Sequence, residues 1–322
     1  LGPLRNRLDT DEPHELFTVA KELATILTEA IDKTHFANLL EVMFDTLDDG
    51  ELDGANGSCV ILNGLIRVRG SELEHEATKF VKKMIEIMAQ LKDREQIVTG
   101  LLHAVRGFAR HFPLPIINTL IGMPVPHSTE VVKSFQIVAA DPKLVVILID
   151  YLIDIVNNSQ LFEEKKKADN KFDLIATHNP KSATCAFAEM LDIESSKEIA
   201  TQYFPKILVS ALLRLGSANA MTVEPPAKDV QTLVKNFFTV TDEEDILTKI
   251  GKKDVFTKMI GSEYTDSIYD TLHIVCKAHP EYVAPMFDFS KQFISRTFTG
   301  HRIPATCIIA VLLHHMKNDR DM

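Results

Sequence analysis

Apolar residues recur at intervals of three and four along almost the whole chain. The first run reads Leu16, Val19, Ala20, Leu23, Ile26, Leu27, Ala30 and Ile31. This spacing places the apolar side chains on one face of an amphipathic helix. The same periodicity predicts further helices over 36–47, 55–69, 72–90, 94–112, 115–121, 128–140, 142–157, 181–191, 195–215, 226–239, 243–250, 254–259, 263–278, 281–298 and 302–317. No intervening stretch alternates at period two, so no β-strand is predicted.

Helix start signals agree with this pattern. Asp141-Pro142 supplies an N-cap followed by proline at the first helical position, and Asn179-Pro180 precedes another predicted helix. Thr241-Asp242-Glu243-Glu244 places acidic residues at a third helix N-terminus. The chain therefore reads as helices joined by short turns.

The distance between helix ends predicts how the helices are arranged. Ends fall near Ile31, Gly70, His111 and Asn158, in steps of 39, 41 and 47 residues that each hold two helices. Two helices in about 40 residues is the period of HEAT and armadillo repeats, in which each hairpin buries its apolar face against its neighbours. The predicted fold class is all-α, a HEAT/armadillo-type α-solenoid of stacked helical hairpins. An irregular helical bundle stays open, because the spacing lengthens after Asn158.

One charged segment interrupts the rhythm. Residues 163–171 read Glu-Glu-Lys-Lys-Lys-Ala-Asp-Asn-Lys and have no apolar stripe, which indicates a solvated loop. We therefore predict a first HEAT-repeat block over 1–160, a charged loop or linker over 161–179 and a second HEAT-repeat block over 180–322.

Composition narrows the class of protein. The 322 residues are 45% apolar and 25% charged with a net charge of −10, which fits a globular chain with a large core rather than a disordered one. The acidic balance argues against nonspecific nucleic-acid binding. No uncharged apolar run is long enough to span a bilayer. The four cysteines lie far apart in apolar runs, which favours buried thiols over disulfides or a metal cluster: Cys59, Cys185, Cys276 and Cys307.

The sequence lacks the common catalytic and metal-binding signatures. The chain lacks a phosphate-binding glycine loop, a Gly-x-Ser-x-Gly elbow, His-Glu-x-x-His and Cys-x-x-Cys. An EF-hand starting at Asp45 fails because Leu47 and Asn56 stand where oxygen ligands are needed. His314 and His315 face different sides of a helix, so with Cys307 they fit an ordinary helix end better than a metal site. We predict no enzyme activity, no catalytic residues, no cofactor and no metal.

One stretch resembles a known family. Residues 54–73, Gly-Ala-Asn-Gly-Ser-Cys-Val-Ile-Leu-Asn-Gly-Leu-Ile-Arg-Val-Arg-Gly-Ser-Glu-Leu, resemble the maestro heat-like repeat family, and the similarity continues through 100–106, 123–126 and 141–144. Small residues at Gly57, Ser58 and Gly64 predict close helix packing, and Gly70 predicts a helix C-cap.

The resemblance implies a non-enzymatic scaffold and a C-terminal part of a much longer protein; the start at Leu1 also indicates a fragment. It further implies a cytoplasmic protein on the cytosolic face of lysosomes, recruited by a Rab-type small GTPase, with membrane association and self-assembly in lysosome fission. The predicted partners are thus proteins, including a Rab-type GTPase and further copies of the chain.

Basic residues concentrate in the first block against the acidic background. The candidate interaction surface comprises Arg67, Arg69, Lys79, Lys82, Lys83, Arg106 and Arg110. Three functions stay open: a protein-interaction scaffold, a peripheral membrane module that would need these side chains on one face, and an enzyme with an unrecognised site. The plainer interpretation is a solvated face with basic helix ends.

Overall fold

The computed structural model describes residues 13–48, 52–167 and 170–318, which are helical apart from turns and one β-hairpin. The helices before the hairpin are α1 (Pro13–Ala30), α2 (Lys33–Asp45), α3 (Leu52–Arg69), α4 (Ala77–Gln90), α5 (Glu95–His111), α6 (Pro113–Ile121), α7 (Thr129–Ala139) and α8 (Pro142–Asn158). The strands are β1 (Phe162–Lys166) and β2 (Phe172–Ala176). The later helices are α9 (His178–Met190), α10 (Lys197–Gln202), α11 (Phe204–Asn219), α12 (Ala227–Val240), α13 (Glu244–Lys252), α14 (Val255–Lys258), α15 (Tyr264–Ala278), α16 (Val283–Ser290) and α17 (Thr299–Asn318).

The chain forms two compact units. The first contains the described residues up to Met123 together with Ser128–Leu148, and the second contains Pro124–His127 and the residues from Ile149 onward. The division falls within α8, before the charged segment at which the sequence predicted a boundary. The assignment of 1–160 and 180–322 as two HEAT-repeat blocks stays a prediction.

In the first unit, α1, α3 and α5 pack side by side and run parallel. Near the start of α3 and α5, Asn56 Nδ2 donates to Gln96 Oε1 at 2.8 Å. Near their ends, His111 Nε2 donates to the Ile66 carbonyl at 2.9 Å. Arg69 joins the ends of α3 and α1 by donating to the Thr28 carbonyl at 3.1 Å. These bonds join residues 40, 45 and 41 positions apart, so contacts recur at the period that the helix spacing predicted.

The core of the first unit lies between this row of helices and the helices α2 and α4. Phe44 of α2, Phe80 of α4 and Phe108 of α5 form a chain of rings, with centroids 5.5 and 6.1 Å apart. All three side chains are almost fully buried. Each burial of this kind removes a large apolar surface from water and stabilises the stacked hairpins.

The second unit is built around α11. Thirteen of its sixteen residues are buried, and it packs against α12, α15, α16 and α17. The sequence predicted one helix over 195–215, but the structure separates α10 from α11 at Tyr203. The physical reason is Pro205 in the first turn of α11, where a missing N–H and a fixed φ favour a helix start.

The helix predicted over 281–298 is also interrupted. It becomes a 3-10 turn at Pro280–Tyr282, then α16, then a second 3-10 turn at Lys291–Phe293. At the end of α16 the Ser290 hydroxyl donates back to the Phe287 carbonyl at 3.1 Å. Such side-chain bonds compete with the helical backbone ladder and favour a helix end.

The absence of strands was predicted wrongly. β1 and β2, inside the segment predicted as a charged loop, pair antiparallel with Phe162 opposite Ala176 and Lys166 opposite Phe172. β2 also exchanges hydrogen bonds with Thr222, whose N–H donates to the Leu174 carbonyl at 2.9 Å. The four residues that follow Phe162 in β1 are exposed, so the strand lacks the buried alternate positions that produce a period-two signal.

A buried histidine in the second unit is expected to make its stability depend on pH. His301 is 4% exposed, and burial, with Arg214 and Arg296 nearby, lowers its pKa from 6.5 to about 4. Because the native pKa lies below that of the unfolded chain, protonation favours unfolding, and stability falls as the pH drops from about 6.5 toward 4. Between pH 7 and 5 we expect a loss of about 2 kcal/mol from this group.

Urea unfolding of the wild type and of His301→Phe at both pH values checks this expectation. Phenylalanine suits the site because His301 already packs in T-shaped contacts with the rings of Phe293 and Phe298. The variant should lose less stability than the wild type over this pH range. An identical pH dependence in both proteins would assign the acid sensitivity to other groups.

Candidate interaction groove

The seven predicted surface residues do not share one face. Arg67, Arg106 and Arg110 line a single groove of the first unit. Lys79, Lys82 and Lys83 lie on α4, which contributes no residue to that groove, and Arg69 makes internal contacts. The structure therefore brings three of the seven side chains together.

Arg69 stabilises the end of the first hairpin. Its guanidinium pairs with both Glu72 carboxylate oxygens at 2.8 Å and stacks over the Phe36 ring at 4.6 Å. It also donates to the carbonyl of Thr28, near the C-terminus of α1, where a cation is favoured by the helix dipole. With its side chain only 11% exposed, Arg69 is occupied within the fold.

The lysines of α4 are largely neutralised by α2. Lys79 pairs with Glu41 at 2.6 Å, and Lys83 pairs with Glu41 at 3.0 Å and with Asp45 at 3.2 Å. Hydrogen bonds from Lys79 and Lys83 lower the pKa of the Glu41 carboxyl. Of these three lysines, only Lys82 is exposed and makes no ion pair with a described residue. This cluster links two helices more than it presents positive charge.

The groove lies along the parallel helices α1, α3 and α5 and has a volume of about 730 Å³. Two residues of α1 line it, and the remainder come from α3 and α5: Phe17, Lys21, Asn56, Gly57, Cys59, Val60, Asn63, Gly64, Arg67, Gln96, Gly100, His103, Arg106, Gly107, Arg110 and His111.

The charge of this lining is entirely positive. Four cations face the groove, and none of its lining residues in the described part of the chain is acidic, although the protein as a whole carries −10. Lys21 and Arg67 make no ion pair with any described residue, while Arg110 pairs with the buried Asp141 at 2.6 Å. The groove therefore concentrates uncompensated positive charge in an acidic protein.

His103 contributes no further charge to the groove. Its Nδ1 accepts from Arg106 at 2.9 Å, and burial together with that guanidinium lowers the pKa of the ring. The neutral ring holds Arg106 in place.

Glycines set the depth of the groove. A Cβ on Gly64 would lie 2.8 Å from the Ala24 Cβ, and one on Gly100 would lie 2.3 Å from the Cys59 sulfur, so α1, α3 and α5 approach closely at these points. The prediction that Gly64 permits close packing is thus confirmed. A Cβ on Gly57 would meet nothing within 4 Å, so this glycine faces the open groove instead of a neighbouring helix.

Gly70 follows α3 for a different reason from the one predicted. The residue begins a 3-10 turn, and its φ is not positive, so it does not form a left-handed C-cap. A Cβ on Gly70 would instead lie 2.5 Å from the His111 ring. Glycine at this position leaves room for the His111 ring, which joins α5 to α3 through its hydrogen bond to the Ile66 carbonyl.

Several groove residues were missed by the sequence reasoning. One signal was available: Asn56, Val60, Asn63 and Arg67 recur at helical spacing and share a face of α3. Gln96 and Lys21 carried no such signal, because their relation to α3 depends on how successive hairpins stack.

A buried serine-histidine-glutamate arrangement lies elsewhere, in the second unit. His127 Nδ1 lies 2.8 Å from Glu189 Oε2, and its Nε2 lies 2.9 Å from the Ser182 hydroxyl. The His127 and Ser182 side chains have no exposed surface, whereas a nucleophile must meet its substrate. These bonds fasten the turn before α7 to α9.

The described residues offer little for thiol or metal chemistry. Burial raises the pKa of Cys59, Cys185 and Cys276 to about 12, which keeps these thiols protonated. No group of three or more potential metal ligands occurs within the described ranges. Across the same ranges, no helix combines the length and apolarity needed to cross a bilayer.

Comparisons with known proteins point to one family. A family model described as "Maestro, HEAT repeats" matches residues 1–149. The Dictyostelium discoideum protein "Maestro heat-like repeat-containing protein family member 1" is 29% identical over 99% of this chain. The Bos taurus and Homo sapiens proteins of that name are 25% and 22% identical over 69% and 80% of it.

The chain spans only 20%, 13% and 16% of the length of these three relatives. Among solved structures, a designed armadillo repeat protein aligns with 96% of this chain over 98% of its own length. The sequence identity is 12% and the TM-score is 0.24.

Proposed function

Because the chain belongs to the Maestro HEAT-repeat family, we propose that it is a protein-interaction scaffold whose binding surface is the basic groove of the first unit. Helical repeats present extended surfaces suited to partner binding. The observation that carries the proposal is the groove itself, which holds four cations and no acidic lining residue in the described part of the chain.

The resemblance supplies the class of partner and the place. We propose a GTP-bound Rab-type small GTPase as the partner and the cytosolic face of lysosomes as the location, with self-assembly and membrane fission as activities of the longer protein. The family relationship supports this proposal, and the groove offers a surface for it.

Binding to purified GTPases tests the proposal. The immobilised chain is incubated with lysosomal Rab-type GTPases loaded with GTPγS or GDP, and bound GTPase is quantified. We expect retention in the GTPγS state and about tenfold weaker binding by Arg67→Glu/Arg106→Glu, because reversing the charge of two groove side chains opposes an acidic partner.

The matched control is Lys82→Glu/Lys92→Glu, which changes the net charge equally at two exposed lysines outside the groove. This variant should bind like the wild type. Equal binding of both nucleotide states would exclude a nucleotide-selective interaction, and equal binding by both double variants would exclude the groove as its surface.

The membrane alternative receives less support. It requires the basic side chains to share one face, whereas the structure places them in the groove, on α4 and inside the fold. Each cation adds about 1 kcal/mol only when it lies near an anionic surface. Flotation with vesicles that contain or lack phosphatidylserine should show no recruitment that depends on the acidic lipid.

A further inference from the structure

We infer that the groove binds a short acidic segment of a partner protein, held in an extended conformation along α3 and α5. This inference rests on the proposed function, because it names the kind of segment that the scaffold captures. Charge complementarity supplies the first argument. A ligand that enters the groove displaces water around Lys21, Arg67 and Arg106, and these desolvated cations need anionic partners.

The amides at the other end of the groove supply the second argument. Asn56 Nδ2 donates to Gln96 Oε1 at 2.8 Å. This exposed bond leaves Asn56 Oδ1 as an acceptor and Gln96 Nε2 as a donor, which no other described residue engages. One acceptor beside one donor matches the N–H and C=O groups of an extended peptide, whereas a helical peptide satisfies those groups internally.

The length of the groove fixes the length of the segment. Asn56 and Arg67 lie eleven positions apart on α3, which corresponds to about 17 Å at a rise of about 1.5 Å per residue. An extended chain advances about 3.3 Å per residue. The segment therefore places about five residues between the amide end and the arginine end.

The two ends of the groove also specify the order of side chains. Gly57 leaves open space beside the amide end, and Phe17 is 46% exposed on the groove. An apolar side chain of the segment fits beside Gly57 against Val60, because the Lys21 ammonium already lies over the Phe17 ring, 4.2 Å from its centroid. The acidic side chains then lie toward Arg67 and Arg106, where they meet the uncompensated charge.

Fluorescence anisotropy with labelled peptides tests the inference on the full chain. The acidic probe is Ser-Leu-Ser-Glu-Asp-Glu-Glu, and the neutral probe replaces each acid by its amide. We expect the acidic probe to bind at least about tenfold more tightly than the neutral one. We expect Arg67→Glu/Arg106→Glu to remove this difference and Lys82→Glu/Lys92→Glu to retain it.

A steric variant tests whether the peptide occupies the groove without changing the charge of the groove. Gly57→Leu fills the open space without altering any charge, and its Cβ meets no neighbour. Leucine also favours helix over glycine, so the variant should melt no lower than the wild type. We expect at least about tenfold weaker binding of the acidic probe with folding intact.

Equal binding of the acidic and neutral probes, or full binding by Gly57→Leu, would overturn the inference. So would stronger competition by phosphatidylserine vesicles or single-stranded RNA than by unlabelled acidic peptide, because the groove would then serve another anion. If the GTPase depends on the groove while the acidic probe does not bind, the scaffold proposal stands and this inference fails. If the probe binds the groove but no GTPase does, the inference stands and the GTPase proposal fails.

Discussion

Gly216→Val is expected to destabilise the second unit by about 3 kcal/mol, because the site has no room for a side chain. A Cβ at Gly216 would lie 2.5 Å from Pro304 Cγ and 2.6 Å from the Gly300 carbonyl oxygen. Pro304 lies inside α17 and has no N–H to donate to Gly300 four residues earlier. Gly216 packs against this turn, where the two nearest obstacles are the Pro304 ring and the Gly300 backbone carbonyl, and neither can rotate aside.

Urea unfolding followed by circular dichroism measures the effect, with Gly251→Val as the matched control. Gly251 lies in α13, and a Cβ there would meet nothing within 4 Å. The control should stay within about 0.5 kcal/mol of the wild type. Equal stability of the two variants would mean that α11 and α17 do not approach as closely as described.

Arg214→Met is expected to raise the free energy of unfolding by up to about 3 kcal/mol. Arg214 is fully buried in α11, and burial lowers its pKa from 12.5 to about 10. Below pH 10 the native state therefore bears the cost of a desolvated cation, and a shift of this size corresponds to about 3 kcal/mol. Methionine has a comparable length and no charge to desolvate.

The two hydroxyls beside Arg214 keep partners in this variant, while the Asp229 carboxylate loses a nearby positive charge, which offsets part of the gain. The Arg214 Nε donates to the Thr184 hydroxyl at 3.0 Å and its NH1 to the Ser217 hydroxyl at 3.1 Å, while NH2 has no partner. Both hydroxyls still donate to backbone carbonyls, those of Pro180 and of residue 214. Removal of the arginine therefore leaves neither hydroxyl donor without an acceptor.

Calorimetric melting at pH 7 checks the sign, with Lys206→Met as a control for replacing a cation on the same helix. Lys206 is exposed, so its variant should change stability by less than about 0.5 kcal/mol. A lower melting temperature for Arg214→Met than for the wild type would show that the arginine contributes net stability through its hydrogen bonds.

Much of the secondary structure follows from local pattern. Apolar residues at helical spacing predicted the helices because each hairpin buries one face against the next, and Asp141 caps α8 as expected, accepting from the Lys143 N–H at 3.0 Å. The interruption before Pro205 was readable from the proline. The hairpin was not, because β1 is stabilised by pairing with β2 and not by burial of alternate side chains.

The candidate site was predictable only in part. Arg67 and Arg106 were identified because basic residues cluster in the first block. Their meeting with Lys21 in one groove depends on the offset between successive hairpins, which periodicity gives only to within a few residues. The Arg69 side chain points into the fold because it bonds to Glu72 and to the carbonyl groups at the end of α1. The periodicity of a single helix does not predict such contacts.

The bonds that join residues about 40 positions apart in the first unit also bear on how the chain folds. Each helix packs against a helix of the next hairpin. The contacts therefore form after closure of a segment of about 40 residues, whose entropic cost is modest. As synthesis proceeds from the N-terminus, α1 can dock on α3, and α3 on α5, once each hairpin is complete. The first unit can therefore assemble hairpin by hairpin. At each stage, the apolar surface that awaits a partner is confined to the last hairpin added.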